Sequence, residues 1–329
     1  MRNAFIKELT SFAKADESAV FLSANCGWGV LDGLAAELGE IGAKDRNGKS
    51  GRFLDVGIAE QNMIALAAGL AASGKRVFVY SIANFPTMRA LEHIRNLILY
   101  PSLNVKIISI GAGFIYGAQG MTHHMTEDAG VMRSLPGIDI FTPCDPFEAA
   151  AIARICAASG KAAYIRIQRG GEAPLHSGEL SGARIEAIAN GTPIAVGEES
   201  PKASIAIIAL GAIASEAIKA QESLAARGAI ANVYSACRLP LNRVAIERIA
   251  KQADRIITLE EHNRVGALGS AVAEILADTQ SAVKFDRLGL DDTFATIVGD
   301  QAYLRDAYRL NALATTKAIG ACDFAKRDR

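Results

Sequence analysis

The sequence lacks an excess of charge of either sign, since 35 Lys and Arg residues balance 35 Asp and Glu residues. A chain without net charge has no overall field to attract nucleic acid or an anionic membrane surface. It also lacks an apolar run of the ~18 residues that a membrane-spanning helix needs, and its amino terminus has no secretion-signal pattern. These absences predict a small-molecule or protein partner, with no nucleic-acid partner and no membrane.

Cysteine is scarce as well, and the cysteines do not form pairs in the sequence. There are five, an odd number, widely spaced and without a C-x-x-C motif: Cys26, Cys144, Cys156, Cys237 and Cys322. Such a pattern predicts reduced thiols and a cytoplasmic location. Aromatic residues make up only 6% of the chain, but half of all residues are hydrophobic, which excludes disorder and supplies buried cores.

Short apolar runs alternate with longer helical patterns along the whole chain, which is typical of α/β folds with mainly parallel sheets. In the first half the expected strands are Val20–Ser23, Phe53–Val56, Arg76–Tyr80, Val105–Ile110, Ile138–Thr142 and Ala163–Ile167. The pattern weakens between Gly170 and Lys202, where scattered glycine, proline and serine predict a linker containing a hairpin. We therefore expect two consecutive domains, at residues 1–178 and 203–329, joined by a linker at 179–202.

A carboxylate stands at the junction of an expected strand and helix, in residues 55–63 (DVGIAEQNM). Glu60 at this place could simply satisfy amide groups in the first turn of the helix. The segment also resembles the signature of the pyrimidine-binding domain of thiamine-diphosphate enzymes, in the transketolase and deoxyxylulose-phosphate synthase branch. That resemblance implies a catalytic Glu60 on the cofactor pyrimidine, with Ile58 beside the cofactor.

Other segments resemble the same family in the same order over some 300 residues. They are YSIANF at 80–85, RALE at 89–92, GAQGMTHH at 117–124, RLPL at 238–241 and EEHNRVGALG at 260–269. The first of them implies that Phe85 stacks on the pyrimidine, although it could be an ordinary core residue. The last two resemble the family's C-terminal domain. The resemblance thus implies a pyrimidine-binding domain followed by a transketolase C-terminal domain.

The chemistry of the family explains why it needs an acid at Glu60. A thiazolium carbon of the cofactor must lose a proton, and the cofactor's own amino group removes it only as the imino tautomer. A carboxylic acid on the pyrimidine ring nitrogen stabilises that tautomer. The resemblance therefore implies a buried carboxyl that can share a proton.

Substrate contacts are expected from the loop at 117–124. By resemblance His123 would bond a substrate oxygen and relay protons, a task for a group that titrates near neutrality; a structural loop histidine is the alternative. His124 stands where the family commonly has Gln, and Gln119 where it usually has Asp. Adjacent histidines point in different directions, so no metal is expected here.

A further departure from the family lies at Gly111-Ala112, where a phosphate-binding His or Arg is usual. Arg166 and Arg169 remain as candidates to clamp an anionic end of the substrate, because arginine suits bidentate binding. The expected substrate-binding residues are thus His123, Gln119, His124 and Arg166. With these changes we expect a non-standard sugar substrate.

Full-length family members also carry a Gly-Asp-Gly motif and a later Asn that hold the cofactor diphosphate through Mg²⁺. This sequence has no such motif, and Gly299-Asp300-Gln301 lies too close to the carboxyl end to start one. The resemblance therefore implies a split enzyme. An N-terminal, diphosphate-binding transketolase subunit would bind Mg²⁺, and an α₂β₂ assembly is expected because each site draws groups from two chains.

The function that follows is the β-type subunit of a split, transketolase-like enzyme that transfers a two-carbon ketol unit from a ketose to an aldehyde. Three alternatives remain. They are a deoxyxylulose-phosphate synthase-like carboligase subunit that decarboxylates pyruvate, a 2-oxo-acid dehydrogenase β-subunit, and a catalytically silent scaffold that binds a transketolase. Glu60 speaks against the scaffold, which would not need it.

Overall fold

The computed structural model describes residues 1–44 and 48–323 and contains two β-sheets, of seven and five strands. The strands are β1 (Ala19–Ser23), β2 (Phe53–Asp55), β3 (Arg76–Ile82), β4 (Val105–Ile110), β5 (Asp139–Phe141), β6 (Ala163–Ile167), β7 (Ile194–Ala195), β8 (Ile205–Leu210), β9 (Ala231–Ser235), β10 (Arg238–Leu239), β11 (Arg255–Asn263) and β12 (Lys284–Leu290). All the strands expected in the first half are present, and the α/β fold class is confirmed.

Helices cover both sheets. They are α1 (Arg2–Ala15), α2 (Asp32–Leu38), α3 (Glu60–Ala72), α4 (Leu91–His93, continued by a π-helical turn over Ile94–Leu99), α5 (Asp128–Arg133), α6 (Pro146–Ala158), α7 (Gly182–Ala189), α8 (Ala214–Ala225), α9 (Arg243–Gln252), α10 (Leu268–Asp278), α11 (Gln301–Ala307) and α12 (Ala312–Asp323). None of the helices in the described ranges is both long enough and apolar enough to cross a membrane.

The first sheet has the strand order β10-β5-β6-β4-β3-β1-β2 and is parallel except for β10. Its central strands are buried on both faces. Phe21, Phe78 and Ile108 belong to one hydrophobic cluster, and alternate residues such as Leu22 and Val79 belong to another. Doubly covered parallel sheets place their sites beyond the carboxyl ends of the strands. The candidate residues of this chain lie at that edge.

The second sheet has the order β12-β11-β8-β9-β7 and is parallel except for β7. Its side chains do not form a separate core. Ile208 and Leu268 of the second sheet and its helices share one hydrophobic cluster with Leu22 and Tyr164 of the first. The two sheets are therefore packed together through a continuous apolar region.

The segment at residues 179–202 differs from the expected hairpin, since it contains helix α7 and strand β7. Ser181 caps the helix by accepting a hydrogen bond from the amide of Arg184, and Ile188 is buried. At Gly191, with φ of 79°, an added Cβ would lie 2.4 Å from the carbonyl oxygen of Pro240. Glycine marks a close backbone approach here, where the sequence pattern indicated only a turn.

Strand β10 joins the sheet of the first domain although it lies far along the chain. Arg238 and Leu239 pair antiparallel with Phe141 and Ile140 of β5. The guanidinium of Arg238 is 2.6 Å from Asp139 at the same edge. Residues 238–241 resemble the family's C-terminal domain, and their contribution to the first sheet was not expected.

Strand β11 ends in two buried acids that hold neighbouring elements. Glu260 accepts hydrogen bonds from the amides of Leu268 and Gly269, at 2.9 and 2.8 Å, and so caps helix α10. Burial raises the pKa of Glu260 to about 7, against an ordinary value of 4.5. Proton binding by this carboxyl is therefore linked to folding.

We predict that Glu260→Gln removes part of the pH dependence of stability. The folded-state pKa lies above the unfolded one, so the contribution is full below pH 4.5 and is lost as pH rises to about 7. Over that window the wild-type free energy of unfolding should fall relative to that of the variant, by up to about 1.4 kcal/mol per pH unit.

Urea unfolding at several pH values between 4.5 and 8 measures this effect. Glu274→Gln is the matched control, because Glu274 is an exposed residue of the same helix α10. Parallel profiles of wild type and Glu260→Gln would contradict the assignment.

Candidate active site

The loops after β1 and β2 are tied together at the carboxyl edge of the first sheet. Asp55 Oδ1 accepts hydrogen bonds from the amides of Asn25, at 3.0 Å, and Gly57, at 2.8 Å. Gly57 has a φ of 74°, which a residue with a Cβ rarely adopts. This turn leads to Ile58, whose side chain is 74% exposed, and then to the start of α3.

Glu60 is the first residue of α3, and it is only 1% exposed. One carboxyl oxygen accepts a hydrogen bond from Ser81 Oγ at 3.3 Å, and the other lies 2.5 Å from Nη1 of Arg89. The carboxyl is thus buried as the resemblance requires. Sequence analysis did not predict its cationic neighbour.

A sharp bend after β3 positions the next candidate residue. Ala83 has a φ of 50°, an uncommon conformation for a residue with a side chain and one that recurs at functional sites. Its amide donates to Ile110 O, and its carbonyl accepts from Ser109 Oγ, so the bend is held by β4. Phe85 follows the bend, and its ring centroid lies 4.6 Å from Cζ of Arg89.

His123 lies next to Phe85, as the resemblance implies for a site that holds both cofactor and substrate. The two rings meet edge to face, with centroids 5.2 Å apart and planes at 75°. His123 Nδ1 is 3.0 Å from Thr122 Oγ1, and the side chain is partly exposed. The structure therefore brings Glu60, Phe85 and His123 to one region through Arg89.

His124 points the other way, and the expectation that it binds substrate is wrong. Its ring is buried, Nε2 is 3.1 Å from the carbonyl oxygen of Gly117, and the ring packs edge to face on Phe114. Its own carbonyl accepts a hydrogen bond from Asn84. Successive side chains of an extended segment alternate in direction, so only one of the two histidines can face the site.

Arg166 is not a substrate clamp either, because its guanidinium is engaged inside the protein. The residue is 2% exposed and pairs through Nε with Asp128 at 2.8 Å. Nη2 donates to the carbonyl oxygens of Met125 and Glu261, at 2.6 and 3.0 Å. As a β6 residue in a doubly covered sheet it is buried. Arg169, just beyond the strand, is exposed.

The place of the expected phosphate ligand is filled by an aromatic ring. Gly111 has a φ of 115°, and an added Cβ would lie 2.3 Å from the ring of Tyr116. The Tyr116 ring in turn lies 6.3 Å from that of His123. Gln119 is exposed in the same loop. Sequence analysis missed Tyr116, although the glycine at position 111 signalled a close approach.

One group of donors among residues 1–44 and 48–323 could reach a common metal ion, namely Cys144, Asp145 and His176. Asp145 already accepts hydrogen bonds from three amides, including that of His176, at 2.9 Å. His176 Nε2 lies 3.1 Å from Glu148. These polar atoms serve packing between α6 and the segment after it.

Comparison with known families matches both halves of the chain. Residues 1–171 match the transketolase pyrimidine binding domain, and residues 196–312 match the transketolase C-terminal domain. One of the two subunits of an apulose-4-phosphate transketolase from Phocaeicola vulgatus is 31% identical, over 88% of this chain and 87% of that protein. The 6-deoxy-6-sulfo-D-fructose transketolase subunit SqwH of a Clostridium species is also 31% identical, over 97% of this chain and 92% of that one.

A solved structure has the same fold over nearly the whole chain. It is a split-gene transketolase described as an inactive beta4 tetramer, with a TM-score of 0.80 and 31% identity, covering 97% of this chain and 96% of that one. The resemblance drawn from the motifs is thus confirmed. The chain belongs to the transketolase family and corresponds to its pyrimidine-binding and C-terminal domains.

Proposed function

We propose that the chain is the β-type subunit of a split transketolase, which transfers a two-carbon ketol unit from a ketose to an aldehyde. The observation that carries the proposal is the buried carboxyl of Glu60, grouped with Phe85 and His123 at the carboxyl edge of the first sheet. The relatives named as transketolase subunits support the same reaction class.

The residues fit a bound thiamine diphosphate, which would supply a carbon nucleophile. Glu60 would hold a proton at the pyrimidine ring nitrogen, and the face of Phe85 would support the ring. Ile58 is exposed on the loop that leads to Glu60 and is available for contact with the cofactor. His123 would bond a substrate oxygen and move a proton to or from it, since its ring is partly exposed beside Phe85.

A second polypeptide would bind Mg²⁺ and the diphosphate, in an α₂β₂ assembly. The relatives whose names describe them as single subunits of a transketolase support such a partner. Large apolar side chains are also exposed on the loops after β1 and β2, with Trp28 at 80% and Ile58 at 74%. Exposed apolar groups next to a site favour coverage by another protein. A cytoplasmic location stays a prediction.

We predict that the purified chain alone has no ketol-transfer activity and little affinity for thiamine diphosphate. Mixing with the diphosphate-binding subunit should restore both, because each site needs groups from two chains. Sedimentation of the mixture should give an α₂β₂ mass. Turnover by the isolated chain would contradict the split arrangement, and inactivity of a well-formed complex would favour the scaffold alternative.

The role of Glu60 can be tested with Glu60→Gln in the reconstituted complex. The variant should fold and bind cofactor, but exchange of the thiazolium C–H for deuterium should slow by ~10² to 10⁴, the usual contribution of a positioned acid-base group. NMR after acid quench measures the exchange. Glu92→Gln, at an exposed acid of the neighbouring α4, is the control. Near-normal exchange in Glu60→Gln would rule out this role.

We propose further that the substrate is not the standard phosphopentose pair. Tyr116 fills the space where the family usually places a phosphate ligand, and neutral Gln119 replaces an acid. Each missing charge-assisted contact is worth roughly 1.5 to 3 kcal/mol. Arg169, exposed beyond β6, is the remaining candidate for an anionic end of the substrate. The substrates in the names of the relatives, apulose 4-phosphate and a sulfonated fructose, are also unusual sugars.

Assays of the complex against a panel of ketoses should show weak use of xylulose 5-phosphate, with kcat/KM below ~10⁴ M⁻¹s⁻¹, the lower edge of the common enzyme range. For an anionic preferred substrate, Arg169→Ala should raise KM more than it lowers kcat, the pattern of lost uniform binding. Efficient use of xylulose 5-phosphate would overturn the altered-substrate proposal alone. Decarboxylation of pyruvate would favour the deoxyxylulose-phosphate synthase-like alternative.

A further inference from the structure

Arg89 makes both of the contacts that the cofactor pyrimidine would make in the proposed site. Its Nη1 atom lies 2.5 Å from Glu60 Oε2, and its Cζ atom lies 4.6 Å from the ring centroid of Phe85. A guanidinium is planar, donates hydrogen bonds in its plane and stacks on aromatic faces. Those are the properties by which an aminopyrimidine ring would bind between the same two residues.

The burial of the partners explains why this position is filled. Glu60 is 1% exposed, and a buried carboxylate without a partner is strongly unfavourable. The Arg89 side chain is 45% exposed, so it reaches Glu60 from the solvent side. Its main chain is held independently, because the carbonyl oxygen accepts a hydrogen bond from Gln61 Nε2 at 3.1 Å. The side chain can therefore leave while the backbone stays in place.

We propose that Arg89 is a placeholder that occupies the pyrimidine position in the cofactor-free subunit and must swing out for the cofactor to bind. The inference rests on the proposed function. It gives the free subunit a satisfied Glu60, and it makes cofactor binding compete with an internal ion pair. Because a ligand must replace both the hydrogen bond to Glu60 and the stacking on Phe85, the device favours a planar, hydrogen-bonding ring over any ligand that carries only a diphosphate.

Calorimetric titration of the reconstituted complex with thiamine diphosphate and Mg²⁺ tests the proposal. Arg89→Met removes the competing contact, so the dissociation constant should fall by about threefold to thirtyfold, less than a fully buried charged contact would give because Arg89 is partly exposed. Arg95→Met removes the same charge from an exposed arginine of the adjacent π-helical turn, and it should leave the affinity unchanged.

Inorganic diphosphate with Mg²⁺ serves as the second probe, since it has no pyrimidine. Its affinity should be the same in wild type and in Arg89→Met. Weaker binding of both probes in Arg89→Met would show that Arg89 is a diphosphate ligand and would overturn the placeholder role. An unchanged affinity for thiamine diphosphate would also overturn it.

Two further measurements keep the test decisive. Arg89→Gln, which retains a hydrogen-bond donor, replaces Arg89→Met if melting curves show that the latter is unfolded, and it should shift the affinity in the same direction. A crystal structure of the wild-type complex with cofactor should show the Arg89 guanidinium away from Phe85. If it stays between Glu60 and Phe85, the inference is wrong. If wild type and variants all fail to bind thiamine diphosphate, the proposed function itself falls.

Discussion

The guanidinium of Arg166 connects the parts of the molecule on which the site depends. It pairs with Asp128 of α5 and donates to the main chain at Met125 and at Glu261 of β11. Asp128 also accepts a hydrogen bond from Tyr164 at 2.6 Å. Loss of one partner from a buried ion pair typically costs about 3 to 5 kcal/mol, so these elements keep one relative position. The loop that ends at Met125 carries His123 and is fixed by the same bonds.

Around this anchored loop the site is assembled from short segments that each follow a different strand. The turn at Gly57 leads to Glu60, and the bend at Ala83 leads to Phe85. Both conformations are unfavourable for most residues, and hydrogen bonds from neighbouring strands maintain them. The sheet is therefore a rigid support, while the chemistry depends on a few loop residues whose positions it determines.

Much of this organisation could be predicted from the sequence. Alternating apolar runs located the strands of the first sheet, and family motifs pointed to Glu60, Phe85 and His123, whose catalytic roles stay predictions. Arg166 was misassigned because alternation shows which residues share a face of a strand but not whether that face is covered. Asp128, its partner, lies 38 residues earlier with no pattern linking the two. The contacts of Arg89 depend on the bend at Ala83, which sequence does not reveal.

The late position of β10 in the chain has a consequence for folding during synthesis. The first sheet has its strands β1 to β6 by residue 167, but its outer strand is supplied only by residues 238–239. Until that part has left the ribosome, β5 is an open edge that could pair with another chain. Asp139 places a charge at this edge, which discourages such pairing, and Arg238 later neutralises it. The ion pair thus gives the nascent chain a guarded edge first and a closed one afterwards.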